Sequence, residues 1–337
     1  MFSNILSIAM KILLFDDGSI GGEKKAFEKL QKHIPLILEK EKEKYKDFVM
    51  DFSTNENDLL KDFDVIHINN FSKFSQVLKI MFAKLIGRKI VYSVHNFPKY
   101  DKLDGKDWKK KFQNEIMEDI ANRIIVPSHF LQMALNRINV EVIPHGIDLE
   151  ECEKTKKMYL DGEPALLYVG RLEYVKGADI LYKIIESVRK ECPKAVLHVV
   201  GEGSLSQKMA EQESEFFKLY GFVDDDVKYQ MLSSANACIV PSRMETFCIT
   251  ILEAIACNCP IIASDIGAIP ELIRHNSNGF LVSFNVKNFS SAASSLMKNK
   301  KNSEFMERIA RNGIETAKRY EWKDIAKKYI DYYSELK

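Results

Sequence analysis

Two glutamates, Glu245 and Glu253, lie eight positions apart in the run Pro241-Ser242-Arg243-Met244-Glu245-Thr246-Phe247-Cys248-Ile249-Thr250-Ile251-Leu252-Glu253-Ala254. Asn236 to Val240 reads as a buried strand and Ile249 to Ala256 as a helix packed on it, so both acids border a strand-to-helix loop. At roughly 100° per residue, eight helical steps leave two positions about 80° apart, close enough to face one ligand. Carboxylates accept hydrogen bonds from vicinal hydroxyls, which suits a sugar ring or a ribose better than a phosphate.

Candidate phosphate ligands lie elsewhere. In Val169-Gly170-Arg171-Leu172-Glu173-Tyr174-Val175-Lys176-Gly177, two cations five positions apart cross another strand-to-helix loop. They can converge on a diphosphate, with the dipole of a helix opened by Lys176 and Gly177 adding to their field. Asp17-Gly18-Ser19-Ile20-Gly21-Gly22-Glu23 is a glycine-rich turn after the first strand, where backbone N–H groups can approach an anion. It is neither a Walker loop nor the GxGxxG fingerprint, which disfavours a nicotinamide enzyme.

The elements that must position these residues are short β-branched runs alternating with amphipathic helices, the pattern of parallel sheets. A chain of 337 residues, 46% apolar, is too long for one core and predicts two domains. The first would use strands at 11–15, 47–52, 65–69, 90–95, 123–127 and 141–144, with helices near 23–44, 71–86, 107–121 and 128–137. The second restarts at 165–170 and continues at 195–201, 216–220, 237–241, 260–264 and 279–282. We place the first domain at 1–150 and the second at 151–319, with polar 150–162 as linker. A final helix over 320–337 carries Trp322, Ile325, Ala326, Tyr329, Ile330 and Tyr333 on one stripe and is expected to pack back on the first domain. Two doubly wound domains would create a cleft at the carboxyl ends of their strands, where such sheets bind ligands.

Several classes are excluded or disfavoured. The 49 basic and 48 acidic residues nearly cancel, which argues against a nucleic-acid partner. Met1 to Phe15 is apolar, but the stretch is short and runs into Lys11 and a strand, so it reads as fold rather than export signal. No stretch is long enough for a membrane span. Six cysteines show no framework spacing, which fits reduced thiols in a cytoplasmic protein. Cys257-Asn258-Cys259 has no second Cys/His pair near it, so it reads as packing rather than zinc. Asp224-Asp225-Asp226 precedes a helical run and reads as an acidic helix N-terminus rather than a metal site.

Taken together the set resembles the retaining glycosyltransferases of the two-Rossmann GT-B fold, the family 4 and group 1 type that includes glycogen synthases, sucrose synthases and phosphatidylinositol mannosyltransferases. The resemblance rests on Gly21-Gly22, Val65-Ile66-His67, Val94-His95-Asn96, Val126-Pro127-Ser128, Val142 to Asp148, Gly170-Arg171-Leu172 with Lys176-Gly177, Gly201-Glu202-Gly203, Gly221-Phe222-Val223 and Glu245 to Ser264. It implies transfer of a hexosyl group from a UDP- or GDP-linked sugar to an acceptor hydroxyl, with retention and without metal or cofactor. Arg171 and Lys176 would hold the diphosphate and Glu253 the ribose. Glu245 and the N–H groups of Phe247, Cys248 and Ile249 would hold the sugar. His95 would sit beside the reacting face, Gly21 and Gly22 near the distal phosphate, and Gly203, Phe222 and Val223 beside the base. Where the family commonly has glycine this chain has Cys248, and His145 stands where asparagine is frequent; a side chain at 248 narrows the sugar pocket.

Two alternatives use the same fold, a phosphorylase or a nucleotide-sugar epimerase. A binding protein without catalysis would lack one of Arg171, Lys176, Glu245 or Glu253, and this chain has all four. The expected acceptor is a sugar, a glycan or a lipid-linked molecule. The basic, aromatic-bearing stretch Lys99 to Lys111 could touch anionic lipid, as a peripheral membrane contact, or a phosphorylated acceptor, but the acids that dilute it favour a solvated loop leading into a helix.

Overall fold

The computed structural model describes residues 9–18, 22–96, 108–299 and 303–336. The chain forms two units, one of Met1–Gly146 with Trp322–Lys337, the other of Ile147–Glu321. Each is built on a six-stranded parallel sheet flanked by helices. The strands read as near-continuous apolar runs because parallel sheets are covered on both faces.

In the first unit the strands are β1 (Met10–Phe15), β2 (Phe48–Ser53), β3 (Val65–Ile68), β4 (Lys89–Ser93), β5 (Arg123–Val126) and β6 (Val140–Val142), in the order β2-β1-β3-β4-β5-β6. In the second they are β7 (Ala165–Val169), β8 (Val196–Val200), β9 (Phe217–Leu219), β10 (Ala237–Val240), β11 (Ile261–Ser264) and β12 (Phe280–Val282), in the order β12-β11-β10-β7-β8-β9. Both orders are doubly wound and Rossmann-like, the fold class expected from the alternating pattern. Every sequence-predicted strand is present, with its ends within one or two residues of the expected bounds.

The helix Trp322–Ser334 belongs to the first unit and buries its stripe in the cluster that includes Ile12, Leu14 and Ile34. His67 of β3, itself fully buried, ties it down. Its Nδ1 shares a 2.5 Å hydrogen bond with the Tyr333 hydroxyl, its Nε2 a 2.8 Å bond with Ser93 Oγ, and Tyr329 stacks on the ring. The 150–162 stretch differs from a free linker. It begins inside the helix Leu149–Glu153, and Cys152, Met158 and Leu160 pack on the second unit's core, so its apolar minority anchors it.

Candidate functional site

In the second unit the strand order reverses between β7 and β10, the place where doubly wound sheets bind ligands. The loops after these strands carry Arg171 to Lys176 and Pro241 to Cys248. Gly177, at φ 72°, lets them approach so closely that a Cβ there would lie 1.7 Å from the Pro241 carbonyl oxygen. Arg243 fastens them together: its guanidinium forks onto Asp179 at 2.5 and 2.8 Å and lies 3.7 Å from the centre of the Tyr174 ring.

This clamp sets Lys176 against Glu245. The Lys176 Nζ donates to both carboxylate oxygens, at 2.9 and 2.8 Å, and the Ser242 hydroxyl adds a third bond at 2.7 Å. Burial alone would lower the Lys176 pKa, but the Glu245 carboxylate more than offsets it and the pKa is raised. Below Glu245, Gly267 passes with φ 54°; a Cβ there would meet the Glu245 carbonyl oxygen at 2.3 Å, and the next N–H, of Ala268, donates to that oxygen.

Glu253 has a lysine of its own. It projects from the helix Ile249–Ala256 onto Lys228 of the helix Asp225–Ser234, and both side chains are less than one-tenth exposed. Asp225 adds a 2.8 Å contact to the same ammonium. Burial opposes charge on Lys228, yet Glu253 and Asp225 hold its pKa above the ordinary value. The acidic run at 224–226 does begin a helix, and one of its carboxylates also serves this pair.

Between the glutamates, Cys248 is the residue before the helix and adopts φ 77°, ψ 76°, a left-handed conformation that strains any side chain with a Cβ. Burial, then the Glu245 carboxylate, push its thiol pKa well up, so the sulfur is a neutral group facing that acid.

The remaining expected site residues fall as follows. Arg171 is exposed, and its carbonyl accepts from the Tyr168 hydroxyl at 2.7 Å. Lys176 and Gly177 do not open an α-helix: two 3-10 turns, Tyr174–Lys176 and Ala178–Ile180, intervene before the helix Leu181–Arg189. The glycine's left-handed turn breaks the helix, so the dipole expected at Lys176 lies farther along. Gly203 packs backbone to backbone, since a Cβ would lie 2.6 Å from the Leu172 carbonyl oxygen. Phe222 is 74% exposed while Val223 packs on the core. Phe247 is a core residue, edge-on to Tyr320, and Ile249 is half-buried. Glu245 lies in the loop rather than in a helical turn.

The first unit has its own switch point, between β1 and β3. Asp16 and Asn69, which follow these strands, are both buried. Asn69 Nδ2 donates to Asp16 Oδ2 at 2.6 Å, and the Gly18 N–H donates to Asp16 Oδ1 at 2.8 Å. Asn69 Oδ1 therefore faces His95 Nε2, 3.2 Å away, and a carbonyl oxygen only accepts, so Nε2 carries the proton. Burial raises the Asp16 pKa, against the opposing pull of Asn69. His145 stacks on His95 with centroids 5.3 Å apart, and burial, with His95 beside it, lowers its pKa to about 3. Gly22 is the first residue of the helix Gly22–Lys40; Gly21 and most of the 99–111 stretch lie outside the described residues.

Sequence reasoning missed Lys228, Ser242, Arg243, Asp16 and Asn69. Ser242 had a local signal, three residues before the acid it bonds. Lys228 had only Asp225, three positions before it, and nothing pointing to Glu253, 25 positions on; Arg243 had no local signal, its partner Asp179 being 64 positions away. Among the described residues no cluster of three or more His, Cys, Asp or Glu could hold a metal ion, and no helix is long and apolar enough to cross a membrane.

Residues 28–151 match the family described as Glycosyltransferase Family 4, and residues 152–316 match Glycosyl transferases group 1. The chain is 28% identical over 242 residues to an uncharacterized 41.2 kDa protein in the cps region of Klebsiella pneumoniae, covering 66% of each chain. It is 29% identical over 229 residues to phosphatidyl-myo-inositol mannosyltransferase of Mycobacterium tuberculosis, covering 64% of this chain and 60% of the relative. The chain thus spans less than two thirds of the length of these relatives. Among solved structures, sucrose-phosphate synthase from Thermosynechococcus elongatus superposes with TM-score 0.76 at 17% identity, over 97% of this chain and 99% of the other. Anabaena Alr3699/HepE in complex with UDP-glucose gives 0.72 at 17%, over 97% and 100%. At that identity the likeness is one of fold, GT-B.

Proposed function

The chain belongs to the glycosyl transferases of group 1, and from that membership we propose that it moves a hexosyl group from a UDP- or GDP-linked sugar to a hydroxyl of a sugar, glycan or lipid-linked acceptor. The carrying observation is the double pairing at the second unit's switch point. Glu245 and Glu253 are buried carboxylates, each seated on its own lysine, and the exposed cation Arg171 acts electrostatically on Lys176. The UDP-glucose in the Anabaena structure supports a uridine donor.

In this reading Glu253 receives the ribose hydroxyls and Glu245 the sugar's. Lys176 has two functions: it pairs with both carboxylate oxygens of Glu245 and offers the remainder of its field to the diphosphate. Breaking the anomeric bond leaves negative charge on the departing diphosphate. Arg171 and Lys176 stabilise that charge in place of a metal, and losing one such contact costs on the order of 100- to 1000-fold in rate. His95, in the first unit, has its tautomer set by Asn69. Attack from the face that the diphosphate leaves gives retention of configuration.

The test is incubation of the purified chain with nucleotide-sugars, with and without acceptor sugars, in the presence of EDTA. The reading expects diphosphate release that requires acceptor, persists in EDTA and yields product of the donor's configuration. Release without acceptor, loss in EDTA or an inverted product overturns the corresponding part. Arg171→Ala should lower kcat far more than it lowers thermal stability, whereas Lys176→Ala should lower both, because it also strips the buried Glu245 of its cation.

A further inference from the structure

The helix Phe74–Leu85 is apolar on two faces. Its inner face, Gln76, Val77, Ile80 and Ala83, is buried in the first unit. Its outer face carries Phe74, Leu78, Met81, Phe82 and Leu85, continued by Ile86, and these six side chains are 43–83% exposed. With roughly 100° per residue, the arc from Met81 through Phe74, Leu85 and Leu78 to Phe82 spans about 100°. Ordinary surface helices place polar residues there, and a contiguous exposed apolar stripe marks a contact surface.

Charge says which contact. Lys79 and Lys84 stand about 60° beyond the two edges of that arc, and Lys73 precedes the helix on the Lys84 side. Residues 65–100 contain six Lys or Arg and no Asp or Glu. Glu56 neutralises Lys79 at 2.9 Å and Asp62 neutralises Arg88 at 2.6 Å. Lys84 bonds the neutral Asn122 side chain at 2.7 Å, so its charge stays uncompensated there, and Lys73 is exposed. An apolar stripe bordered by lysines, on a helix of twelve residues, is too short to span a bilayer but suited to lie in its interface. An antiparallel two-fold pairing with a second copy would set Lys73 of one copy toward Lys84 of the other, like charge on like.

We propose that this face docks on an anionic lipid surface, the helix axis in the membrane plane, with its apolar side chains at the acyl boundary and Lys73 and Lys84 at the headgroup phosphates. The docking is independent of the glycosyl-transfer reading, because it needs neither donor nor acceptor.

Flotation of the full chain with vesicles tests it. Binding is expected to vesicles of phosphatidylglycerol mixed with phosphatidylcholine, and not to phosphatidylcholine alone. Leu78→Gln with Leu85→Gln should lower partitioning at least tenfold, and each of Lys73→Gln and Lys84→Gln about fivefold. These sites are on the surface, and circular dichroism and the melting temperature should match the parent chain. Equal binding to both vesicle types overturns the proposal, as does unchanged binding by the leucine pair. A dimer in light scattering that the leucine pair converts to monomer, without vesicle binding, also overturns it by assigning the face to a second copy.

Discussion

Replacing Lys228 with methionine isolates what the second buried pair does. Lys228 and Glu253 are 7% and 8% exposed at their side chains, so the substitution leaves a carboxylate in a poorly solvated place with its cation gone. Asp225, 44% exposed, can turn to water and does not share that cost. Breaking such a pair from one side costs about 3–5 kcal/mol, whereas replacing both partners by neutral groups of similar volume is often near neutral. For a unit the size of Ile147–Glu321 this corresponds to a drop of about 6–20 °C in melting temperature. The double variant Lys228→Met with Glu253→Gln should recover most of that loss. It should not recover nucleotide binding, because an amide cannot replace a carboxylate that accepts from two ribose hydroxyls. Thermal melts and titration calorimetry with UDP and GDP on the parent, both single variants and the double make the comparison. A loss below about 1 kcal/mol in Lys228→Met, or a double variant no more stable than that single variant, refutes the buried-pair argument. Undiminished UDP and GDP affinity in the double variant refutes Glu253 as the ribose ligand.

Three further outcomes follow from the geometry. Cys248→Gly should stabilise the chain by about 1 kcal/mol, because glycine adopts φ 77° without strain at some cost in unfolded-state entropy; it should also change the ranking of nucleotide-sugars in a product assay. A lower melting temperature in that variant would show that the thiol's contacts outweigh the strain. Burial lowers His67 and His145 from 6.5 to about 3, so between these values the unfolded chain binds more protons and stability falls as pH drops. Going to pH 5.5 should cost about 1.4 kcal/mol for each, and His67→Asn or His145→Asn melts with an unchanged pH slope would contradict it. Nitrogen NMR of labelled His95 should find the proton on Nε2, with the preference lost in Asn69→Leu; a proton on Nδ1 in the parent would overturn the Asp16–Asn69–His95 assignment.

The fold was legible because buried parallel strands leave a contiguous signature. Runs such as Ile12-Leu13-Leu14-Phe15 and Ala237-Cys238-Ile239-Val240 need no partner in sequence to be recognised. Arg171, Lys176, Glu245 and Glu253 stood out for a similar reason, since the fold places ligands directly after strands. Pairing was not legible. Nothing near Lys228 announces that it turns inward to meet an acid 25 positions on, and nothing near Asn69 announces that it bridges Asp16 and His95. Gly177, Gly203 and Gly267 were likewise ambiguous. A glycine that approaches a ligand and one that lets two loops touch look alike in sequence, and these three lie against neighbouring backbone.

The return of the helix Trp322–Ser334 to the first unit makes the second unit an insertion within the first. During synthesis, all of Ile147–Glu321 leaves the ribosome before the helix that supplies Tyr329 and Tyr333 around His67. The later-encoded unit can therefore close its core first, while the earlier one waits with an apolar face of its sheet uncovered. A nascent chain stalled just before Trp322 should present one protease-resistant body of about the second unit's size and a first unit that is readily cleaved.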